Sequence, residues 1–581
     1  MKSALSILKK PLFWFSLFLA FVTIDNNLLD GEFKNVIRSD GRGYYAYLPA
    51  AILYNDPTFE ASLEAETRNA QPNFNQYYLY QNEEGRVFNK YFPGIAVLQT
   101  PFFAAGCLAA VISGAPVDGY SEPFEFAFLL GSLFYTLLGV WLFHRCIQMR
   151  FPWLKDRSQW LVMAIFLCTT LLMYNTVTLG LSHHYSFFLF SLFTYLILKY
   201  RDGLQWRYVL MAGLTLGLIA LVRPTNVLVL LAVPLLFNDW AEFRDTVSRL
   251  FENRGRFLLS AVGGFLAVFS IQFFLWKWQS GHWINWSYSG EGFNFLHPAF
   301  WENLFSFRNG LFLHTPIMLV SAIASFWLLR ENKFLFFSWW IYFLVNTWVI
   351  SSWWCWDYET SFGNRPFTEH TFLLLIPLLQ LGQFRKRFLW YTLCFFFVIG
   401  WIRYQNYSTG AMIDQRFTRD NYLASLTFWD DDNHDRWRYG RSVEPFGNRI
   451  NEAILAYDKT EKHVASQDEF IQTVEYDVPR NRTNERLYFR VWLEKKSSTP
   501  LEHVSLVVHA TDNDSEFTHY HAIPLYNDRL AGINEWTTVS LSGQIPDHFN
   551  DFEKVKIYIW NQGKESFDLR NIRIFIDTYK S

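Results

Sequence analysis

The chain has 581 residues, of which 51% are hydrophobic and 20% aromatic, with a net charge of −2. Charged residues make up only 18%, against about 25% in soluble domains, and the balance of signs excludes the basic footprint of a nucleic-acid binder. Mean hydropathy is +0.04, so a polar part dilutes a very apolar one. The five cysteines stop at Cys394, so no disulfide framework holds the C-terminal region together.

A membrane span needs about 20 mostly apolar residues. Runs of that kind lie at roughly 11–29, 124–144, 160–181, 185–199, 208–222, 224–240, 257–276, 311–329, 333–351, 369–383 and 387–402. The first follows Lys2, Lys9 and Lys10, with no small-residue cleavage site after it, so it reads as a retained span. Basic clusters set the orientation. Arg145, Arg150 and Lys155, then Lys199, Arg201 and Arg207, then Arg244 to Arg256, then Arg330 and Lys333, and Arg385 to Arg387 all belong inside with the N-terminus. One alternation accommodates them only if the apolar segment 93–113 makes no full crossing, so it is expected to be re-entrant or to lie on the surface. The result is about 11 crossings with the C-terminus outside. The stretches 30–92, 277–310 and 352–368 then share the outer face with the chain beyond 402.

From about 465 the pattern becomes period two. Leu487, Phe489, Val491 and Leu493 alternate with Tyr488, Arg490 and Trp492, and further short strands follow at 504–508, 555–559 and 572–576. Such spacing predicts an all-β sandwich. The segment from Trp536 to Asn561 resembles carbohydrate-binding jelly-roll modules, and a structural or docking domain fits the same pattern. The chain is therefore expected to divide into a membrane domain (1–402), a connector (403–464) and a sandwich (465–581). Within the connector, the run Asp430 to Asp435 reads as a solvated acidic loop or as a cation site.

The residues that carry chemistry fall on the outer stretches. Ser39-Asp40-Gly41-Arg42-Gly43-Tyr44-Tyr45 sets one carboxylate among glycines, an arginine and tyrosines just after the first span. Asp40 there suits a general base; Tyr44 and Tyr45 equally suit an interfacial aromatic belt. Lys90 precedes the non-crossing segment, as a phosphate partner or a snorkelling lysine. His183 and His184 stand together at a span end. Adjacent histidines rarely chelate one ion, so hydrogen bonding is the simpler role and no metal site is assigned, a divalent metal being the alternative reading. Arg223 lies between two apolar runs and requires a partner. Asp357, Glu359 and Arg365 share an aromatic loop, and Glu291 and Arg308 lie on the preceding one.

Taken in this order, these features resemble the GT-C superfamily of polytopic glycosyltransferases, in particular protein O-mannosyltransferases and aminoarabinose transferases. Asp40 matches the family's acid in the first outer loop. Lys90-Tyr91-Phe92-Pro93-Gly94 loosely matches its lysine-proline-proline motif. Ser361-Phe362-Gly363-Asn364-Arg365 is similar to its serine-aromatic-glycine-x-arginine signature. The resemblance spans roughly 10–400. It implies a polyprenyl-phosphate sugar donor, a glycan, lipid or protein acceptor, Asp40 as base, and Arg223, Arg365 and Lys90 around the leaving phosphate. It also implies a bacterial inner membrane, with the N-terminus cytoplasmic and the C-terminal domain periplasmic. Family members often pair the first acid with a second, but Gly41 follows here. Glu291, Asp357 and Glu359 therefore remain alternative bases. A lipid-linked glycan polymerase or ligase would use the same chemistry. A transporter or flippase would share the spans but usually shows repeated halves, which are absent.

Overall fold

The computed structural model describes residues 10–29, 36–69, 78–81, 86–288, 291–358, 361–408, 422–423, 426, 448–479, 485–498, 501, 504–511, 518–525, 536–544 and 553–580. Glu359 and the acidic run Asp430 to Asp435 lie outside them. The chain forms two compact units, one of residues 1–408 and 415–426, the other of 409–414 and 427–581.

The first unit is helical. Its main helices are α1 (Pro11–Ile24), α2 (Asp40–Leu48), α3 (Gly94–Ser113), α4 (Glu122–Arg150), α5 (His183–Gly203), α6 (Trp206–Val222), α7 (Glu252–Ser280), α8 (Lys333–Ser351) and α9 (Lys386–Ser408). Such apolar runs satisfy their own backbone groups as helices, the form a membrane requires. Among the described residues, α3, α4, α7 and α8 are each long and apolar enough to cross a membrane. The expected crossings at 160–181 and 311–329 are instead broken into Ser158–Cys168 with Leu171–Thr176 and Leu311–His314 with Ile317–Glu331.

The segment expected to span at 224–240 is not α-helical. Pro224–Leu236 is a 3-10 helix with a second proline, Pro234, inside it, and it turns by 117° into the helix that follows. Proline withholds amide hydrogens from the α pattern, and the steeper 3-10 rise stretches 13 residues to about 26 Å. Segment α3 is a continuous helix. Residues on both sides of it contact one short helix: Tyr44 packs on Tyr91 at 4.6 Å, and the Tyr45 hydroxyl donates to Gly119 O at 2.6 Å. Both contacts are made by α2, which is only nine residues long.

One end of each of α5, α6, α7 and α8 carries His183, Val222, Trp276 and Ile350 respectively, which line one cavity. Their other ends carry the basic residues Lys199 and Arg201, Arg207, Arg256 and Lys333. Close backbone approach fixes the cavity end. A Cβ at Gly41 would lie 2.7 Å from Gly180 O, and one at Gly94 would strike the backbone of Leu221 and Val222. Glycine is the residue that permits these contacts.

A hairpin, β1 (Leu79–Gln81) and β2 (Val87–Asn89), completes this unit. The second unit holds β3 (Asn448–Asp458), β4 (Lys462–Val464), β5 (Phe470–Asp477), β6 (Glu485–Lys496), β7 (Val504–Thr511), β8 (Thr518–Pro524), β9 (Thr537–Gln544), β10 (Lys554–Asn561) and β11 (Phe567–Lys580). All pairings are antiparallel. One sheet runs β5-β10-β7-β8, the other β3-β11-β6-β9 with β4 beside β11. Leu487, Phe489, Val491 and Leu493 face Val504, Leu506, Val508, Val555, Ile557 and Ile559 in a shared core. This is the expected sandwich. It starts earlier than position 465, because β3 and β4 supply an edge of the second sheet. The expected connector also begins too early, since α9 continues to Ser408.

Two outcomes follow. Gly94→Ala should destabilise the helical unit by about 1–3 kcal/mol through overpacking. Gly263→Ala, on α7 with open space around it, should be neutral or gain up to about 1 kcal/mol in helix propensity; melting in detergent separates them. In the sandwich, burial pushes the Lys495 ammonium down to about 8. A lysine lowered on folding disfavours the folded state while it carries charge, so stability should rise as pH climbs from about 8 towards the unfolded value near 10.4. Lys495→Met should flatten that rise in melting temperature.

Candidate active site

A cavity of about 700 Å3 opens where the helix ends converge, lined among others by Asp40, Tyr44, Lys90, His183, Arg223, Glu291, Tyr358 and Arg365. Asp40 is the first residue of α2. Its Oδ1 accepts from the Tyr91 hydroxyl at 2.8 Å, and its Oδ2 lies 3.8 Å from an Arg365 nitrogen. Gly43 lets α2 lie against the Tyr91 ring, where any Cβ would collide. The glycines of the Asp-Gly-Arg-Gly motif therefore place the carboxylate against its tyrosine.

Opposite, the Tyr358 ring carries two cations, with the Arg223 guanidinium 5.4 Å and the Arg365 guanidinium 5.3 Å from its centroid. Enclosure in the cavity wall raises the Tyr358 phenol above its usual range, which keeps it neutral beneath both charges. Arg223 follows the last turn of α6 and Arg365 begins a short 3-10 turn, and Gly363, at φ +70°, makes the bend just before it. Lys90 pairs with Glu291 at 2.5 Å among the rings of Tyr80, Tyr91 and Tyr288.

Behind this wall lies Glu369, whose side chain has no solvent exposure. It accepts from Asn226 Nδ2 at 2.9 Å, bonds His183 Nδ1 at 2.9 Å and stands 4.0 Å from Arg223. Sequence reasoning missed Glu369, Asn226, Tyr91 and Tyr358. A carboxylate inside an apolar run is the one signal that pointed to Glu369.

Other predicted residues are elsewhere. Arg42 turns to Glu66 at 3.4 Å, and the Glu66 carboxylate also accepts from Tyr78 at 2.6 Å. Tyr45 is buried against Phe103, Tyr120 and Phe128. His184 is fully buried on Tyr185, off the cavity, so the histidine pair divides between two environments. Arg308 is exposed, and Asp357 contributes its backbone carbonyl to Asn309 rather than a carboxylate to the cavity. Of the alternative bases, Glu291 alone among the described residues reaches the cavity. No group of three or more His, Cys, Asp or Glu is placed to hold a metal ion among the described residues.

No protein-family model and no curated protein matches the chain. Among solved structures, it is similar to the Archaeoglobus fulgidus oligosaccharyltransferase (14% identity, TM-score 0.33, covering 75% of this chain and 59% of that one). It is also similar to the arabinosyltransferase EmbB of Mycobacterium smegmatis (11% identity, TM-score 0.27, covering 92% and 64%). The chain thus spans about three fifths of the length of each. Likenesses this distant carry no argument about activity, which rests on the cavity itself.

Glu369→Ala would leave His183 and Arg223 without their shared carboxylate. It should destabilise the helical unit by about 3–5 kcal/mol, the cost of breaking a buried pair. Glu291→Ala, whose partner Lys90 lies at the cavity surface, should cost far less by the same melting assay.

Proposed function

We propose that the protein is an integral membrane glycosyltransferase of the GT-C type. It moves a sugar from a polyprenyl-phosphate donor to a hydroxyl of a glycan, lipid or protein. The observation that carries the reading is one carboxylate, Asp40, facing two guanidiniums stacked on Tyr358 in a cavity at the membrane-boundary ends of the helices. A hydroxyl nucleophile needs a base, and a departing phosphate needs fixed cations.

In this reading the acceptor oxygen attacks the anomeric carbon, and its proton passes to Asp40 Oδ2. The bond from that carbon to the phosphate oxygen breaks. The bond electrons leave with the polyprenyl phosphate, whose charge meets Arg223 and Arg365. Planar guanidiniums suit phosphate oxygens better than lysine does. Tyr91 holds the carboxylate in place through its other oxygen. Glu369 fixes Arg223 from behind, so the cation is already oriented when charge develops. Lys90, held by Glu291, supplies a third positive group at the rim. Basic helix ends opposite the cavity support a cytoplasmic N-terminus and a cavity on the outer face; a bacterial inner membrane with a periplasmic sandwich is part of the proposal.

The test is transfer from polyprenyl-phosphate sugars to envelope extracts by purified protein. Asp40→Asn should lower kcat by about 10²–10⁴-fold, and Arg365→Ala by about 10²–10³-fold, both with unchanged melting. Undiminished activity in Asp40→Asn would move the base to Glu291. Inactivity of the native protein with every donor would overturn the reading.

A further inference from the structure

The chain between α7 and α8 includes a loop that the pattern of basic residues is expected to place outside the membrane, yet its surface is not that of a water-facing loop. Residues 278–307 contain no lysine or arginine. Leu296 is 87% exposed, Ile284 75% and Trp301 68%, and Trp283, Trp286 and Phe305 are exposed with them. Soluble surfaces rarely gather so many large apolar side chains.

These residues continue the apolar surface of the spanning helices. Trp283 packs edge-on at 5.8 Å against Phe274, an exposed residue of α7. Phe295 packs at 4.9 Å on Trp348, an exposed residue of α8, whose indole nitrogen donates to Phe295 O at 3.3 Å. Backbone bonds hold the loop to the end of α8: Asn294 N to Ser352 O at 2.6 Å, Ala299 N to Ser351 O at 2.9 Å, and Trp354 N to Gly292 O at 3.0 Å. The surface is therefore fixed in place.

We propose that loop residues 283–288 and 291–305, with Trp354, are seated in the membrane interface, their occupant the lipid headgroup and upper acyl region, and that the cavity opens to lipid between Ile284, Trp286 and Trp354. The depth follows from its chemistry. Irregular backbone does not face the hydrocarbon centre, whereas tryptophan-rich segments prefer the headgroup boundary. His297 and Glu302, both exposed, mark the part that meets water. Ile284, Trp286 and Trp354 are exposed and also line the cavity, so the mouth is apolar. The seating of the loop does not depend on the function proposed above.

The experiment uses the full-length native protein in phosphatidylcholine–phosphatidylglycerol nanodiscs. One half of the sample carries a lipid with a photoactivated carbene precursor in its upper acyl chain. The other is exposed to hydroxyl radicals from water. The expected result is lipid adducts on Ile284, Trp286, Leu296 and Trp301 at levels comparable with the α7 peptide 258–274. Oxidation of Trp283 and Trp301 should be severalfold below that of the exposed Phe470 of the sandwich. Oxidation of those tryptophans equal to Phe470, with adducts confined to the helices, would overturn the proposal. Neither readout requires activity, so an inactive protein with a lipid-labelled loop would sink the transferase reading alone.

Discussion

A carboxylate shut away from water must be surrounded by donors, and Glu369 meets this constraint with side chains from two other parts of the sequence. His183 begins α5, while Arg223 and Asn226 straddle the junction between α6 and the 3-10 helix. Burying an uncompensated charge would cost several kcal/mol, so these segments come together or the fold pays heavily. The wall they form is the floor behind the two cavity cations. Every other feature of the site is placed against that wall: Tyr358 beneath the guanidiniums, Asp40 opposite Arg365, and Lys90 at the rim.

The second constraint is steric. The helix carrying Asp40 reaches the wall only because Gly41 meets Gly180 and Gly43 meets the Tyr91 ring without a Cβ. Gly94 does the same where α3 abuts the end of α6, so that Lys90 and Arg223 line one cavity. Polar pairing and backbone approach thus act together. The glycines set the distances, and the buried acid sets the orientation of the cations.

The cavity lining combines two chemistries: the charged groups of Asp40, Arg223, Arg365, Lys90 and Glu291, and the apolar ones of Leu228, Trp276, Val349 and Ile350. A ligand with a charged head and a hydrocarbon chain satisfies both, and a free sugar or a soluble nucleotide would satisfy only one. This mixed lining, together with the apolar loop at the mouth, is what the proposed lipid-linked donor would require.

Much was legible from residue order alone. Apolar length located the helices, basic clusters picked out the ends away from the cavity, and period-two alternation placed the sandwich, because these signals are local and periodic. The Asp40, Lys90, Arg223, Glu291 and Arg365 positions stood out as charges at span ends or on the outer loops, and all five line the cavity. Tertiary structure alone decided the rest. Arg42 and Asp357 are charges in the same motifs, but neither lines the cavity: Arg42 turns to Glu66, and the Asp357 carboxylate accepts from the Cys355 thiol, since a helix or tight turn sends neighbouring side chains in different directions. His183 and His184 separate for the same reason. Glu369 was hidden because its meaning lies in contacts 143 to 186 residues away, and no local pattern encodes which distant donors will enclose a buried charge.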